Sequence, residues 1–206
     1  MIAPEGRVII IPLLLFTMVS TAVLAVYHPN WLKWMNIFLV ILTIFCLYFF
    51  RDPNRIIDNN PTSFYSPADG KVVKVSVIDD PEIGLATQVS IFLSVFNVHR
   101  QWVPYEGKVL DYQYKKGAYF GAFKHKASEK NEQTITLFES DNGVKFKVKQ
   151  IAGFIARRIL NYMIPGMSVE KGQNMGFIRF GSRVDIIVPK EITLDVQLGQ
   201  KVIGRE

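Results

Sequence analysis

The sequence predicts a mainly β (α+β) protein, a compact barrel or sandwich with few helices, preceded by an N-terminal hydrophobic helical hairpin. Three observations predict it. Apolar residues fill 36 of the first 50 positions (72%) but 65 of the remaining 156 (42%). An apolar piece therefore precedes a stretch of ordinary globular composition, long enough for one buried core. Two runs free of Asp, Glu, Lys and Arg, residues 8–26 and 34–50, occupy that first piece. Beyond Arg51, β-branched residues gather in short runs separated by Gly and Pro, as in sandwiches and barrels.

The uncharged runs are 19 and 17 residues long. At about 1.5 Å per residue, each helix just reaches across a hydrocarbon layer of roughly 30 Å. Between them, Pro29 and Asn30 break the helix, while Tyr27, Trp31 and Trp34 suit a membrane interface. The resulting hairpin has both ends on one side. Arg7 flanks one end and Arg51 and Arg55 the other, with only Lys33 near the loop, which assigns the ends to the cytoplasmic side. A cleaved signal peptide fits poorly, because a second apolar run follows the first and no small-residue cleavage pattern lies between them. Two buried core helices, or a hairpin entering one leaflet part-way, are the competing readings. The expected organisation is a membrane-anchoring hairpin, 1–50, and a catalytic domain, 51–206.

In that domain, residues 71–78, 89–96, 134–139, 144–151, 184–188 and 192–196 read as strands. Asn142-Gly143 signals a hairpin turn. One helix is expected over 153–162, ended by Pro165-Gly166. Val169-Glu-Lys-Gly-Gln173 faintly echoes Val196-Gln-Leu-Gly-Gln200, each a turn after a strand. The alternation Lys145-Phe-Lys-Val-Lys149 gives a strand one wet, basic face, or one attracted to anionic lipid headgroups.

A single cysteine, Cys46, excludes an internal disulfide framework and a Cys-cluster metal site. Three histidines (His28, His99, His125) leave little for a His-rich metal centre, and His125, in a lysine-rich loop, reads as a surface residue. The excess of 24 Lys and Arg over 18 Asp and Glu is modest, and with no nucleic-acid signature lipid is the better partner. There is no phosphate-binding Gly-rich loop, dinucleotide fingerprint or Gly-x-Ser-x-Gly elbow.

Three segments stand out, each with a plain structural explanation. Ser66-Pro67-Ala68-Asp69-Gly70 reads as a turn before a strand. Phe96-Asn97-Val98-His99-Arg100 puts a histidine at a strand end. Gly181-Ser182, within Phe177-Ile-Arg-Phe-Gly-Ser-Arg-Val-Asp185, is a common turn pair. In this order and spacing they carry more. Together with Phe49-Phe50-Arg51-Asp52-Pro53, Asn131-Glu132-Gln133 and Lys171-Gly172-Gln173, they make nearly the whole chain resemble the short bacterial and archaeal form of the pyruvoyl-dependent phosphatidylserine decarboxylases.

The resemblance implies a lipoyl-like hybrid barrel, in keeping with the strand-rich pattern. It implies self-cleavage between Gly181 and Ser182 into a β chain, 1–181, and an α chain, 182–206, held as a heterodimer with higher assembly left open. Ser182 would become a pyruvoyl group, the covalent cofactor, with no metal and no pyridoxal phosphate. That group would form a Schiff base with the amine of phosphatidylserine, and loss of CO2 would give phosphatidylethanolamine. His99 is implied as acid or base, and Asp69 as the carboxylate orienting a histidine for self-cleavage, as in a serine triad. Long-form members carry His-x-x-His, whereas this chain has His99-Arg-Gln-Trp102, which puts a simple Asp/His/Ser relay in question. Alternatives at this point are decarboxylation of the ether-linked archaetidylserine and a non-catalytic, membrane-tethered lipoyl-like module.

Overall fold

A computed structural model of the chain describes residues 1–55, 63–118, 130–153, 158–179 and 181–206. They fall into two compact units, Met1–Asn54 and Arg55–Glu206.

The first unit is a helical hairpin of α1 (Arg7–Tyr27) and α2 (Asn30–Phe49). His28, in the left-handed conformation, ends α1, and Pro29 precedes α2 as expected, whereas Asn30, read as a second breaker, is the first residue of α2. Both ends meet. Ile2 bridges Arg51, and the backbone N–H groups of Ala3 and Asp52 donate to the carbonyls of Phe50 and Met1, each at 2.7 Å. The outward side chains are large and apolar, among them Val8, Leu15, Phe16, Met18, Trp31 and Phe38. Ser20, Asn36 and Thr43 are buried and pair with polar neighbours. The Thr17 and Thr43 hydroxyls lie 3.0 Å apart, and the Asn36 amide donates to Ser20 (3.2 Å) and Thr21 (2.8 Å). An apolar exterior over paired polar groups is what a hydrocarbon solvent demands. Both helices are long and apolar enough to cross a membrane.

The second unit is built from two antiparallel sheets. The larger takes the order β11-β1-β2-β10-β6-β5-β4-β8, from β1 (Gly70–Asp80), β2 (Gly84–Leu93), β4 (Gly107–Lys115), β5 (Gln133–Glu139), β6 (Lys145–Ala152), β8 (Ser168–Val169), β10 (Ser182–Pro189) and β11 (Lys201–Val202). The smaller takes β3 (Arg100–Trp102), β9 (Asn174–Ile178) and β7 (Ile159–Asn161) in the order β3-β9-β7. The expected β architecture holds, and the Asn142-Gly143 turn joins β5 to β6 with Gly143 at φ 78°. Beside it, Phe138 and Phe146 are cross-strand partners with rings stacked 4.9 Å apart.

Three expectations are corrected. Ile159–Asn161 is a strand, paired with β9, where a helix over 153–162 was expected; residues 154–157 lie outside the described set. Of the three residues 159–161 only Leu160 is a strong helix former, and the pairing that the neighbouring strand offers decides the outcome. Residues 192–196 join no sheet, although Ile192, Leu194 and Val196 do pack on the core. Their alternation reflects burial without a hydrogen-bonded neighbour. Lys147 is not on a wet face: it is buried and paired with Asp80 and Glu82. Burial alone would raise the Asp80 carboxyl, but hydrogen bonds from Lys147 and from the Glu82 and Ile83 amides hold it below its ordinary value. Burial lowers the Lys149 ammonium, partly offset by Asp185 and Asp80.

The sequence echo is a structural repeat. Gly172 (φ 74°) and Gly199 (φ 86°) occupy matching turns. In each, a glutamine side chain caps its own turn: Gln173 accepts from the Glu170 amide at 2.9 Å and Gln200 from the Gln197 amide at 2.8 Å. Each turn also clasps a valine backbone by two bonds of 2.8 and 2.9 Å, Val103 in the first and Val72 in the second. Positive φ at the fourth position requires glycine, which explains why both copies read Val-x-x-Gly-Gln.

Candidate active site

β10 lies between β2 and β6, with register Ser182↔Leu93 on one side and Ser182↔Ala152 on the other. Its alternation sorts the strand into two faces. Val184, Ile186 and Val188 enter the hydrophobic core. Arg183 and Asp185 form a buried pair at 2.6 Å, extended to β2 through Ser90 and Gln88. Breaking one partner of such a pair costs on the order of 3–5 kcal/mol, so the strand's register is firmly set. Ser182, its first residue, is fully buried, and its hydroxyl has no hydrogen-bond partner among the described residues. An orphaned buried hydroxyl costs about 1–3 kcal/mol, so its presence calls for a chemical reason.

Gly181 precedes it at φ 65°. A Cβ there would meet nothing within 4 Å, so backbone conformation rather than space is what demands glycine. Gly181→Ala should strain the backbone by about 1–2 kcal/mol. We expect it to slow cleavage at this bond without abolishing it, read as the half-time for appearance of a 25-residue fragment; an unchanged half-time would contradict the role given to this conformation.

His99, fully buried at the entry to β3, reaches the backbone N–H of Gly181. Its Nδ1 lies 2.9 Å from the Asn97 carbonyl oxygen, which can only accept, so Nδ1 carries the proton. The Nε2 lone pair is left to accept from the Gly181 N–H at 3.4 Å. The histidine backbone is fixed as well: its carbonyl accepts from the Ile178 amide at 3.2 Å and the Gln101 side chain at 2.7 Å. Gln101 in turn accepts from Gln150, whose own oxygen accepts from Thr134 and Asn161, each of these at 2.8 Å. Asn131 ties in the far side by donating to the Ala152 carbonyl at 2.7 Å.

Among the residues singled out from sequence, Gly181, Ser182 and His99 are brought together. Asp69 is not joined to His99. Its carboxylate makes a two-pronged ion pair with Arg55 (2.5 and 2.7 Å) and accepts from the Gly204 amide at 2.8 Å. Trp102, in the position of the long form's second histidine, lies with its ring 4.9 Å beneath the Arg55 guanidinium. His125 lies outside the described residues. Sequence reading passed over Asn97, Gln101, Gln150 and Arg55. Asn97 stood within the histidine block but was given no role; the two glutamines carried one legible signal, polar side chains at inward strand positions.

The arrangement provides a buried oxygen nucleophile, a glycine carbonyl before it and a neutral imidazole acceptor. These groups fit the conversion of an internal serine into a terminal carbonyl group that the resemblance implies. Comparison with known proteins points the same way. The family model described as phosphatidylserine decarboxylase matches residues 42–206. A phosphatidylserine decarboxylase proenzyme of the Wolbachia of Brugia malayi is 44% identical over 170 residues, covering 80% of this chain and 74% of the relative. One from Syntrophotalea carbinolica is 45% identical over 163 residues (78% and 76%), and one from Rickettsia felis 43% over 171 (81% and 74%).

Proposed function

We propose that this chain, which belongs to the phosphatidylserine decarboxylase family, is a proenzyme that cuts itself between Gly181 and Ser182 and then converts phosphatidylserine to phosphatidylethanolamine and CO2. The observation that carries the reading is the buried, unpartnered Ser182 hydroxyl behind a left-handed Gly181, with His99 Nε2 accepting from the Gly181 N–H, one peptide bond before the cut.

Self-cleavage follows from these atoms. The Ser182 Oγ attacks the Gly181 carbonyl carbon, and its proton passes to a base, the role assigned to His99 Nε2, which must exchange the Gly181 N–H for the hydroxyl to take it. Collapse breaks the Gly181–Ser182 amide and leaves an ester, with the nitrogen becoming the free amine of residue 182. Loss of the Ser182 α-proton expels the Gly181 carboxylate, so the chain parts and residue 182 is left as dehydroalanine. Water then replaces its nitrogen, which leaves as ammonia, and a terminal pyruvoyl carbonyl remains. Such a group supplies the electron sink for the pair left on Cα when CO2 departs, which amino-acid side chains lack.

The chain's other residues serve that carbonyl. The β10 ladders to β2 and β6 and the Arg183–Asp185 pair hold the head of the small chain in place. Asn97 fixes the imidazole's tautomer, and the Gln101–Gln150 amides fix its backbone. The hairpin inserts into the bilayer that contains the substrate, with its basic-flanked ends cytoplasmic.

The test is to give the purified protein vesicles of phosphatidylserine, archaetidylserine or phosphatidylglycerol and to measure CO2 and the amine lipid formed. Equimolar CO2 and phosphatidylethanolamine from the first, and nothing from the last, is the expected result. A cut chain that releases CO2 only from the ether lipid would move the substrate to archaetidylserine. A cut chain inert on both serine lipids would overturn the assignment.

A further inference from the structure

Cleavage at Gly181–Ser182 raises a question of retention. It leaves a 25-residue small chain with no covalent tie to the rest, and the tail of that chain meets a cluster of charged and aromatic groups far along the sequence. Gly204 is held from both sides: its N–H donates to Asp69 at 2.8 Å, and its carbonyl accepts from Arg55 at 2.8 Å. The Arg55 guanidinium thereby binds the carboxylate of Asp69 and the backbone of the tail at once. A Cβ on Gly204 would fall 2.1 Å from the Trp102 ring, so the tail backbone packs closely against the indole. Arg205, at φ 73°, donates to the Gly172 carbonyl at 2.6 and 2.9 Å and to the Arg55 carbonyl at 3.2 Å. Backbone bonds of 2.8 and 3.1 Å join Ser66 to Glu206 and Arg205. The side chains of Arg55 and Asp69 are only 15% and 11% exposed, where charge-assisted bonds are little screened.

We propose that Asp69, through its ion pair with Arg55, is a positioning residue that acts on segment 204–206: it keeps the small chain, and the reactive group at its head, seated in the protein. The proposal rests on the cut between Gly181 and Ser182. It gives Asp69 a task other than orienting His99, whose Nδ1 is already bound to the Asn97 carbonyl. It also accounts for Trp102, which supplies the surface on which the tail lies.

The test compares the unaltered protein with Asp69→Asn, with Gly204→Ala, with a chain ending at residue 203, and with that shortened chain carrying Asp69→Asn. Intact mass gives the fraction cut; dilution and filtration give the rate at which the 25-residue chain, or its shortened form, is lost. Losing one charge-assisted clamp should speed that loss by at least about tenfold. The three single variants should share one phenotype, decarboxylation should decay in step with loss of the small chain, and the combined variant should be no faster than the worse of its parents. A block of cutting common to all three would overturn the proposal, since the clamp would then act on the cut and not on retention of the small chain. Asp69→Asn uncut while the tail variants are cut, a small chain retained as in the unaltered protein, or effects that multiply would each overturn the proposal. An unaltered chain found uncut would overturn the self-cleavage reading itself, and the clamp with it.

Discussion

Replacing Ser182 by alanine should yield a single uncut chain and no detectable decarboxylation. The effect is expected to be total, because the proposed mechanism makes the hydroxyl both the attacking atom in the cut and the source of the carbonyl used afterwards. No neighbouring side chain can stand in, since the pyruvoyl carbon skeleton is that of residue 182 itself. The variant also separates chemistry from folding. The Ser182 hydroxyl is buried without a hydrogen-bond partner among the described residues. Its removal relieves an unmet desolvation cost of about 1–3 kcal/mol and leaves no new orphan. Ser182→Ala should therefore melt no lower than an uncut chain of native sequence. A variant still cut at 181–182 would remove Ser182 from the role given to it. One that is uncut but unfolded would contradict the view that this hydroxyl does nothing for stability.

Substituting His99 by glutamine should slow self-cleavage by about a hundredfold or more, the range expected for loss of a positioned general base. Glutamine can still meet the Asn97 carbonyl and the Gly181 amide but cannot take up a proton in the same way. The pH dependence sharpens the test. Protonated Nε2 cannot accept, so cleavage of the unaltered chain should slow toward acid pH, while the residual cleavage of His99→Gln should lose that dependence. Time courses of fragment appearance at several pH values supply both readings. An unchanged rate with an unchanged pH profile would assign the base elsewhere.

Much of this was legible in the sequence where neighbours along the chain decide the structure. The hairpin follows from two uncharged runs around Pro29. Strands β1, β5 and β6 follow from alternation and from Asn142-Gly143, and Gly181-Ser182 stands in a distinctive block. What escaped depended on residues far apart. β10 begins at Ser182, but Gly-Ser reads locally as a turn, so the strand was expected only from residue 184. Only the ladders to β2 and β6 draw the serine into the sheet. Asp69 was matched to a histidine on the resemblance; its partners are Arg55, 14 residues before it, and Gly204, 135 after it. Nothing in the local pattern links the three. The 192–196 run shows the opposite error, in which a true burial pattern imitated a strand that no neighbour completes.

The central claim, that this polypeptide makes its own electrophile at residue 182, is tested most directly by the intact mass of the purified, unaltered protein. The account predicts two species, of 181 and 25 residues, the smaller blocked at its head and lacking an amine there. A single species near the 23.5 kDa of the whole chain, or a small chain that begins with an ordinary serine amine, would contradict it.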